Sequence, residues 1–167
     1  MKHLYLIGGT MGVGKTTTCQ LLKRQLKNAV FLDGDWCWDA DPFQVTDETK
    51  KMAVDNICHL LNNFIACSAY DNVIFCWVMH EQAIIDGILS RLNTDGCKVV
   101  PISLVCTVDA LTRRLQKDIA QGLRHEDIVM KSTLRLPLYH DLNTIRMDTS
   151  TRTPDEVARD IRVQYGN

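Results

Sequence analysis

Residues 9 to 16 read GTMGVGKT, which satisfies the pattern G-x-x-x-x-G-K-[ST] at every fixed position. Glycines at this spacing let the backbone curl so that successive N–H groups point at one anion. Lys15 places an ammonium where the β- and γ-phosphates of a nucleotide would lie, and the Thr16 hydroxyl suits Mg²⁺. An apolar run precedes the motif and a helical pattern follows it, so a positive helix end faces the same point. The expected nucleotide contacts are therefore Gly9, Thr10, Met11, Gly12, Val13, Gly14, Lys15, Thr16 and Thr17. A bare glycine turn is the alternative, and the full motif in its required context argues against it.

A second constellation follows in Phe31-Leu32-Asp33-Gly34-Asp35, two carboxylates at the end of an apolar run. The carboxyl edge of strands in an open α/β sheet is where ligands bind. If the strand stays extended, Asp33 and Asp35 share a face. One would hold Mg²⁺ through water and the other an acceptor hydroxyl. A D-G-D turn leaving a strand is the alternative. The third apolar run ends Trp77-Val78-Met79-His80, with no carboxylate before Glu81, so a motor-type acid is missing there. No N-K-x-D occurs, which excludes the usual guanine reader. Residues 35 to 43, DWCWDADPF, add Trp36 and Trp38 beside further acids. Aromatic faces stack on rings and cations, while carboxylates suit hydroxyls and ammonium groups.

These residues need a scaffold, and the chain alternates short apolar runs with helical patterns. Strands are expected at Leu4–Ile7, Ala29–Leu32, Val73–Met79, Val99–Cys106 and Thr144–Met147. Helices are expected at Lys15–Lys27, Val45–Ala69, Glu81–Asn93, Ala110–Gln121 with Asp109 as N-cap, and His125–Leu142 with a break at Pro137. The last helix opens with Thr153, Pro154 and Glu156, a capping box with proline in the first turn. Repeated βα units give an α/β fold, a five-stranded parallel sheet with helices on both faces. The 167 residues form one domain, 1–167, with 34–72 as a candidate acceptor-binding lobe. Met52, Met79, Met130 and Met147 fall at expected core positions, whereas His3, His125 and His140 have no metal spacing.

Composition narrows the function class. Nineteen Lys and Arg against twenty Asp and Glu make a dedicated nucleic-acid binder an unexpected reading. Seven cysteines, none in C-x-x-C spacing, read as reduced core thiols and hence a cytoplasmic protein. The apolar run Val73–Met79 is too short to span a bilayer, so no membrane partner is expected.

The sequence resembles the small P-loop kinases: shikimate, gluconate, adenylyl-sulfate and nucleoside monophosphate kinases and chloramphenicol phosphotransferase-like enzymes. GTMGVGKTT is similar to their loop, FLDGD to their second-strand acidic motif, and LTRRLQKDIAQGLR to the segment leading into their lid. NTIRMDTSTRTPDEVARDI resembles their last strand and closing helix. The resemblance implies ATP as donor, Mg²⁺, and a short lid at about residues 117–130. It implies that Thr16 and Asp33 serve the metal and that Asp35 binds or polarises the acceptor. Arg114, or Arg113, would stack on adenine. Arg124 would be the lid arginine, with Arg135 as the second candidate for that phosphate cluster. His80 stands where nucleotide kinases of this group carry an arginine, and Asp35, Trp36, Trp38 and His80 become the expected acceptor contacts.

The expected activity is ATP- and Mg²⁺-dependent phosphoryl transfer to a small hydroxylated acceptor, with Lys15, Asp33, Asp35 and Arg124 at the chemistry. A nucleoside monophosphate kinase and a non-catalytic ATP-binding regulatory module are the alternatives. Residues 34–72 contain no arginine, and the stretch 35–43 carries three acids at 35, 39 and 41, so anionic acceptors are expected to be poorer than neutral or cationic ones.

Overall fold

The computed structural model describes residues 1–166. Five strands form one parallel sheet: β1 Lys2–Gly8, β2 Ala29–Asp33, β3 Asn72–Trp77, β4 Cys97–Val105 and β5 Ile145–Asp148. Their order is β2-β3-β1-β4-β5, with every pair parallel. The central strands are apolar on both faces because helices cover both sides. On one face α1 Lys15–Gln25, α4 Val108–Ala120 and α6 Pro154–Tyr165 bury Leu22, Leu115 and Ile161 against Ile7, Ile74 and Leu104. On the other, α2 Asp47–Ala66 and α3 Gln82–Leu89 bury Ile57, Leu61 and Ile88 against Leu6, Val73 and Phe75. No helix among the described residues is long and apolar enough to cross a membrane.

Several element ends differ from expectation for identifiable reasons. Thr107, not Asp109, caps α4, its hydroxyl accepting from the Ala110 amide at 3.2 Å. Asp109 lies inside the first turn, where its charge favours the helix dipole. Helix α2 carries a capping box made by Thr46 and Thr49, a threonine doing the work usual for Glu or Gln. Pro137 ends helix character as expected: α5 runs Ile128–Arg135 and a 3₁₀ turn continues over Leu136–His140. The box of Thr153 and Glu156 at α6 is present. Met79 and Met147 are buried, but Met52 and Met130 are exposed, because their helices turn those positions to solvent.

Segment 34–72 divides into two parts. Helix α2 packs on the sheet through Ala53, Ile57 and Leu61. Ahead of it, residues 39–48 are exposed throughout and stand off the core. The segment expected as a lid comprises the last turn of α4, a turn at Gly122 and the entry to α5. All seven cysteines are unbridged.

Candidate active site

The carboxyl edge of the sheet gathers the loops after β1, β2, β3, β4 and β5. Strand β1 delivers residues 9–14, and α1 begins at Lys15 immediately after Gly14, which has φ 103°. The first amides of α1 have no partner within the helix and face the same concavity. Gly9 shows why glycine is required. A Cβ there would stand 2.6 Å from Val13 Cγ1 and 3.4 Å from Lys15 Cγ, filling the cradle. The loop is fixed from behind: Val13 is buried in the core, and the buried Thr10 hydroxyl donates to the Ser132 carbonyl at 2.9 Å. Met11 is half-buried, while Thr16 and Thr17 are exposed at the start of α1.

Lys15 donates from Nζ to the Thr10 carbonyl at 3.1 Å, spanning the loop. Burial lowers its pKa from the ordinary lysine value, while nearby thiols and the Asp35 and Asp33 carboxylates oppose that shift. The Thr16 hydroxyl donates to Asp33 Oδ2 at 2.6 Å. Asp33, 5% exposed, accepts through Oδ1 from the Asp35 amide at 3.1 Å. Strand β3 lies between β1 and β2, so this bond reaches across from the second-neighbour strand.

The chain does not stay extended through the acidic pair. Strand β2 ends at Asp33, and Gly34–Cys37 forms a 3₁₀ turn. Asp35 therefore leaves the strand face assumed from alternation, yet its carboxylate remains in the same electrostatic neighbourhood. Asp35 is exposed at its surface, yet desolvation by the surrounding groups raises its pKa, and Asp33 raises it further; Lys15, a hydrogen bond from Trp77 and Arg124 work against that. Trp77 Nε1 donates to Asp35 Oδ1 at 3.2 Å.

Trp77 is the residue that motif reading missed. Gly34 lies over it so closely that a Cβ would meet the indole at 2.6 Å. The pairing of Asp33 with Cys76 puts residue 77 beside residue 34, so the signal exists only once β2 and β3 are known to be neighbours. Beyond Trp77, Trp38 packs edge-on at 6.0 Å, and Phe43 packs on Trp38 at 4.9 Å. Trp36 packs on Phe31 at 5.2 Å. A cleft of about 500 Å³ opens here, bordered by Trp36, Trp38, Asp39, Asp41, Met52 and Asn56.

The remaining expected residues fall into two groups. Arg114 is fastened to the phosphate loop and the β5–α6 connection: Nη1 donates to Thr149 Oγ1 at 3.0 Å and Val13 O at 3.4 Å, and Nη2 donates to Thr149 O. Arg113, its alternative, is exposed. Arg124 sits in the turn after α4, with Nε 3.1 Å from Asp118 Oδ2. His80 is half-buried after β3, with Nε2 3.4 Å from Glu81 Oε1. Burial lowers the His80 pKa, the Arg135 charge lowers it further, and Glu81 opposes both. Lys15, Thr16, Asp33 and Asp35 are thus brought together directly. Arg124 is coupled to them through Asp35, whereas His80 lies beside Glu81, within the field of Arg135, and does not border the aromatic cleft.

The residues fit a triphosphate and a hard cation. Among the described residues no group of three or more His, Cys, Asp or Glu is placed to hold a metal alone. Mg²⁺ ordinarily binds through one or two protein oxygens together with phosphates and water, and Thr16 with Asp33 offers that donor set.

The chain is similar in fold to several solved structures. It aligns with the tunicamycin resistance protein of Deinococcus radiodurans at TM-score 0.76 and 21% identity, over 99% of this chain and 96% of that one. It aligns with a gluconokinase from Sinorhizobium meliloti 1021 at TM-score 0.67 and 14% identity, over 95% and 88%. It aligns with the shikimate kinase of Acinetobacter baumannii at TM-score 0.61 and 20% identity, over 98% and 92%. No curated protein sequence matches it. The family model described as an AAA domain matches residues 6–133, so the chain belongs to that family, and it shares the fold of these solved structures.

Proposed function

We propose that the protein is an ATP- and Mg²⁺-dependent kinase transferring the γ-phosphoryl group to a hydroxyl of a small acceptor. The carrying observation is the 2.6 Å bond from Thr16 to the buried Asp33, near Lys15 and two residues from Asp35. This supports a reading in which donor-side and acceptor-side groups share one edge. The fold neighbours include kinases, and the free thiols suit a reducing, cytoplasmic setting.

Phosphoryl transfer asks for positioning and for positive charge around the γ-phosphoryl group. The loop amides and the first turn of α1 bind the phosphates, and Lys15 exchanges the Thr10 carbonyl for phosphate oxygens. Bound Mg²⁺ would neutralise charge on the β- and γ-oxygens, held from Thr16 and Asp33. Asp35 orients the acceptor hydroxyl. The new O–P bond forms as the bond between γ-phosphorus and the β-bridging oxygen breaks, ADP leaves, and the hydroxyl proton passes to Asp35. Its raised pKa makes Asp35 a better proton acceptor near neutrality than an ordinary carboxylate. Arg114, anchored at Val13 and Thr149, is set to present its guanidinium face to adenine. Arg124 leaves Asp118 and meets the phosphates when the 117–130 segment closes, which excludes water. Trp36 and Trp38 are assigned to acceptor contact, and His80, which does not border their cleft, is not.

The test is acceptor-dependent ADP release over a panel of hydroxylated metabolites, nucleosides and nucleotides. Lys15→Ala should lower turnover by about 10²–10³-fold while leaving the fold intact, since it removes one charge aimed at the transferring group. Normal turnover in folded Lys15→Ala protein would overturn the kinase reading. ATP binding without any acceptor-dependent release would leave the regulatory-module alternative.

A further inference from the structure

Resting on the kinase reading, we infer that the cleft beside Asp35 takes the ring of an uncharged or cationic acceptor and rejects anionic ones. The first argument is the wall. Trp36 and Trp38 border the cleft, and Trp38 is held between Trp77 and Phe43 in edge contacts. The indoles are therefore ordered before a ligand arrives, which limits the entropy lost when a planar group stacks there. Trp36 remains 54% exposed and Phe43 57% exposed, as a surface waiting for a ring would be.

The second argument is where the positive charge goes. Segment 34–72 has Lys50 and Lys51 but no arginine. Lys51 is paired with Asp55 at 2.7 Å, and Lys50 lies 3.8 Å from Asp47. Arg91, arriving from the α3–β4 connection, is also held by Asp55, at 2.6 Å. Asp39 and Asp41 border the cleft itself. Among the described residues no cation borders it, and Lys51 and Arg91 beside α2 are engaged by Asp55.

The third argument is direction. Asp35 lies in the field of Lys15, at the end of the phosphate loop, and of Arg124, in the turn after α4. Asp39 and Asp41 lie on the cleft side. An acceptor is thus polarised across Asp35: its hydroxyl points toward Lys15 and its ring toward Trp36 and Trp38. A phosphate or carboxylate on the ring side would meet carboxylates with no arginine fork to offset them.

All three tryptophans of the chain, Trp36, Trp38 and Trp77, stand at this site, so tryptophan fluorescence reports on it alone. The experiment titrates full-length protein with uridine, thymidine and benzyl alcohol, with the phosphate ester of each, and with ribose. We expect saturable fluorescence change with at least one of the three ring probes, at least about tenfold weaker binding of its phosphate ester, and none by ribose. Trp38→Ala should erase the preference for a ring, and Trp38→Phe should keep it. Equal or tighter binding of the phosphate esters, equal binding of ribose, or no response to any ring probe would each overturn the inference. Binding needs no turnover. The ring preference without ADP release would sink the kinase reading alone, and ADP release favouring phosphate esters would sink this inference alone.

Discussion

The phosphate loop and the aromatic cleft lie on the same sheet edge but are built on different principles. In the loop, side chains matter chiefly by being absent: Gly9 leaves room that a Cβ would fill, and Val13 and Thr10 turn inward to brace the backbone. The working groups are amides, one ammonium and one hydroxyl. The cleft uses large side chains instead, Trp36 and Trp38 with Trp77 of β3 behind Trp38, and its outer edge is the exposed segment 39–48. A backbone cradle recognises phosphate in any nucleotide. A side-chain wall recognises a particular shape, and it can be rebuilt without disturbing the sheet. The two regions meet at Asp33 and Asp35, where one carboxylate faces Thr16 and the other faces Trp77.

Removing the junction charge on the donor side should give the larger effect. Asp33→Asn keeps an acceptor for the Thr16 hydroxyl but loses the charge beside the metal position. Turnover should fall about 10–100-fold, the usual cost of disturbing a group that orients a metal ligand. Rising Mg²⁺ should recover part of it. Activity that falls without any change in Mg²⁺ dependence would place Asp33 in loop support only.

Two glycine substitutions should separate the regions. Gly9→Ala puts a methyl 2.6 Å from Val13 Cγ1 and 3.0 Å from the Leu104 carbonyl. Nucleotide affinity should fall by about tenfold or more, the factor that overpacking of 1–3 kcal/mol produces. Gly34→Ala drives a methyl into the Trp77 indole at 2.6 Å and so moves the group that bonds Asp35. It should raise the acceptor KM by about tenfold on the same reasoning and leave nucleotide affinity close to wild type. Titrations of ATP against each variant would check both. Equal loss of ATP affinity in the two variants would mean that the regions are one mechanical unit.

The loop was legible in the sequence because its recognition is local. Each of its fixed residues serves a conformation or charge within eight positions. The five strands were legible for a similar reason, since apolar runs on both faces admit few placements. Element ends were less so: Asp109 was the expected cap of α4, and Thr107, two residues earlier, is the one whose hydroxyl accepts from the Ala110 amide. The cleft was half-legible. Trp36 and Trp38 stand out by type, but Trp77 joins them from another strand, and the shared face of Asp33 and Asp35 required an extended chain where a 3₁₀ turn begins at Gly34. Arg114 shows the same limit. Spacing put it on α4, and the partners that fix it, Val13 and Thr149, lie 101 and 35 residues away.

The smallest effect concerns the cost of keeping Asp35 ready. Its pKa in the folded protein is raised above the ordinary carboxylate value, chiefly by desolvation and then by Asp33, and this is net of the attraction from Lys15 and Arg124. A raised folded pKa means that the protonated form is favoured by folding. That contribution is complete below the ordinary carboxylate pKa and is lost as pH rises through the higher folded value. At neutral pH the ionised carboxylate therefore works against stability. Asp35→Asn cannot ionise, and its amide oxygen can still accept from Trp77 Nε1. The variant should melt slightly above wild type at neutral pH. The difference should be small at acid pH, grow as pH rises through the carboxylate range, and level off thereafter. Acceptor turnover should fall in the same variant, so stability and activity move in opposite directions. Thermal melts of both proteins across pH 3 to 8 would check it. A variant less stable than wild type at neutral pH, or a difference that does not change with pH, would show that the ionised Asp35 is already compensated in the free protein.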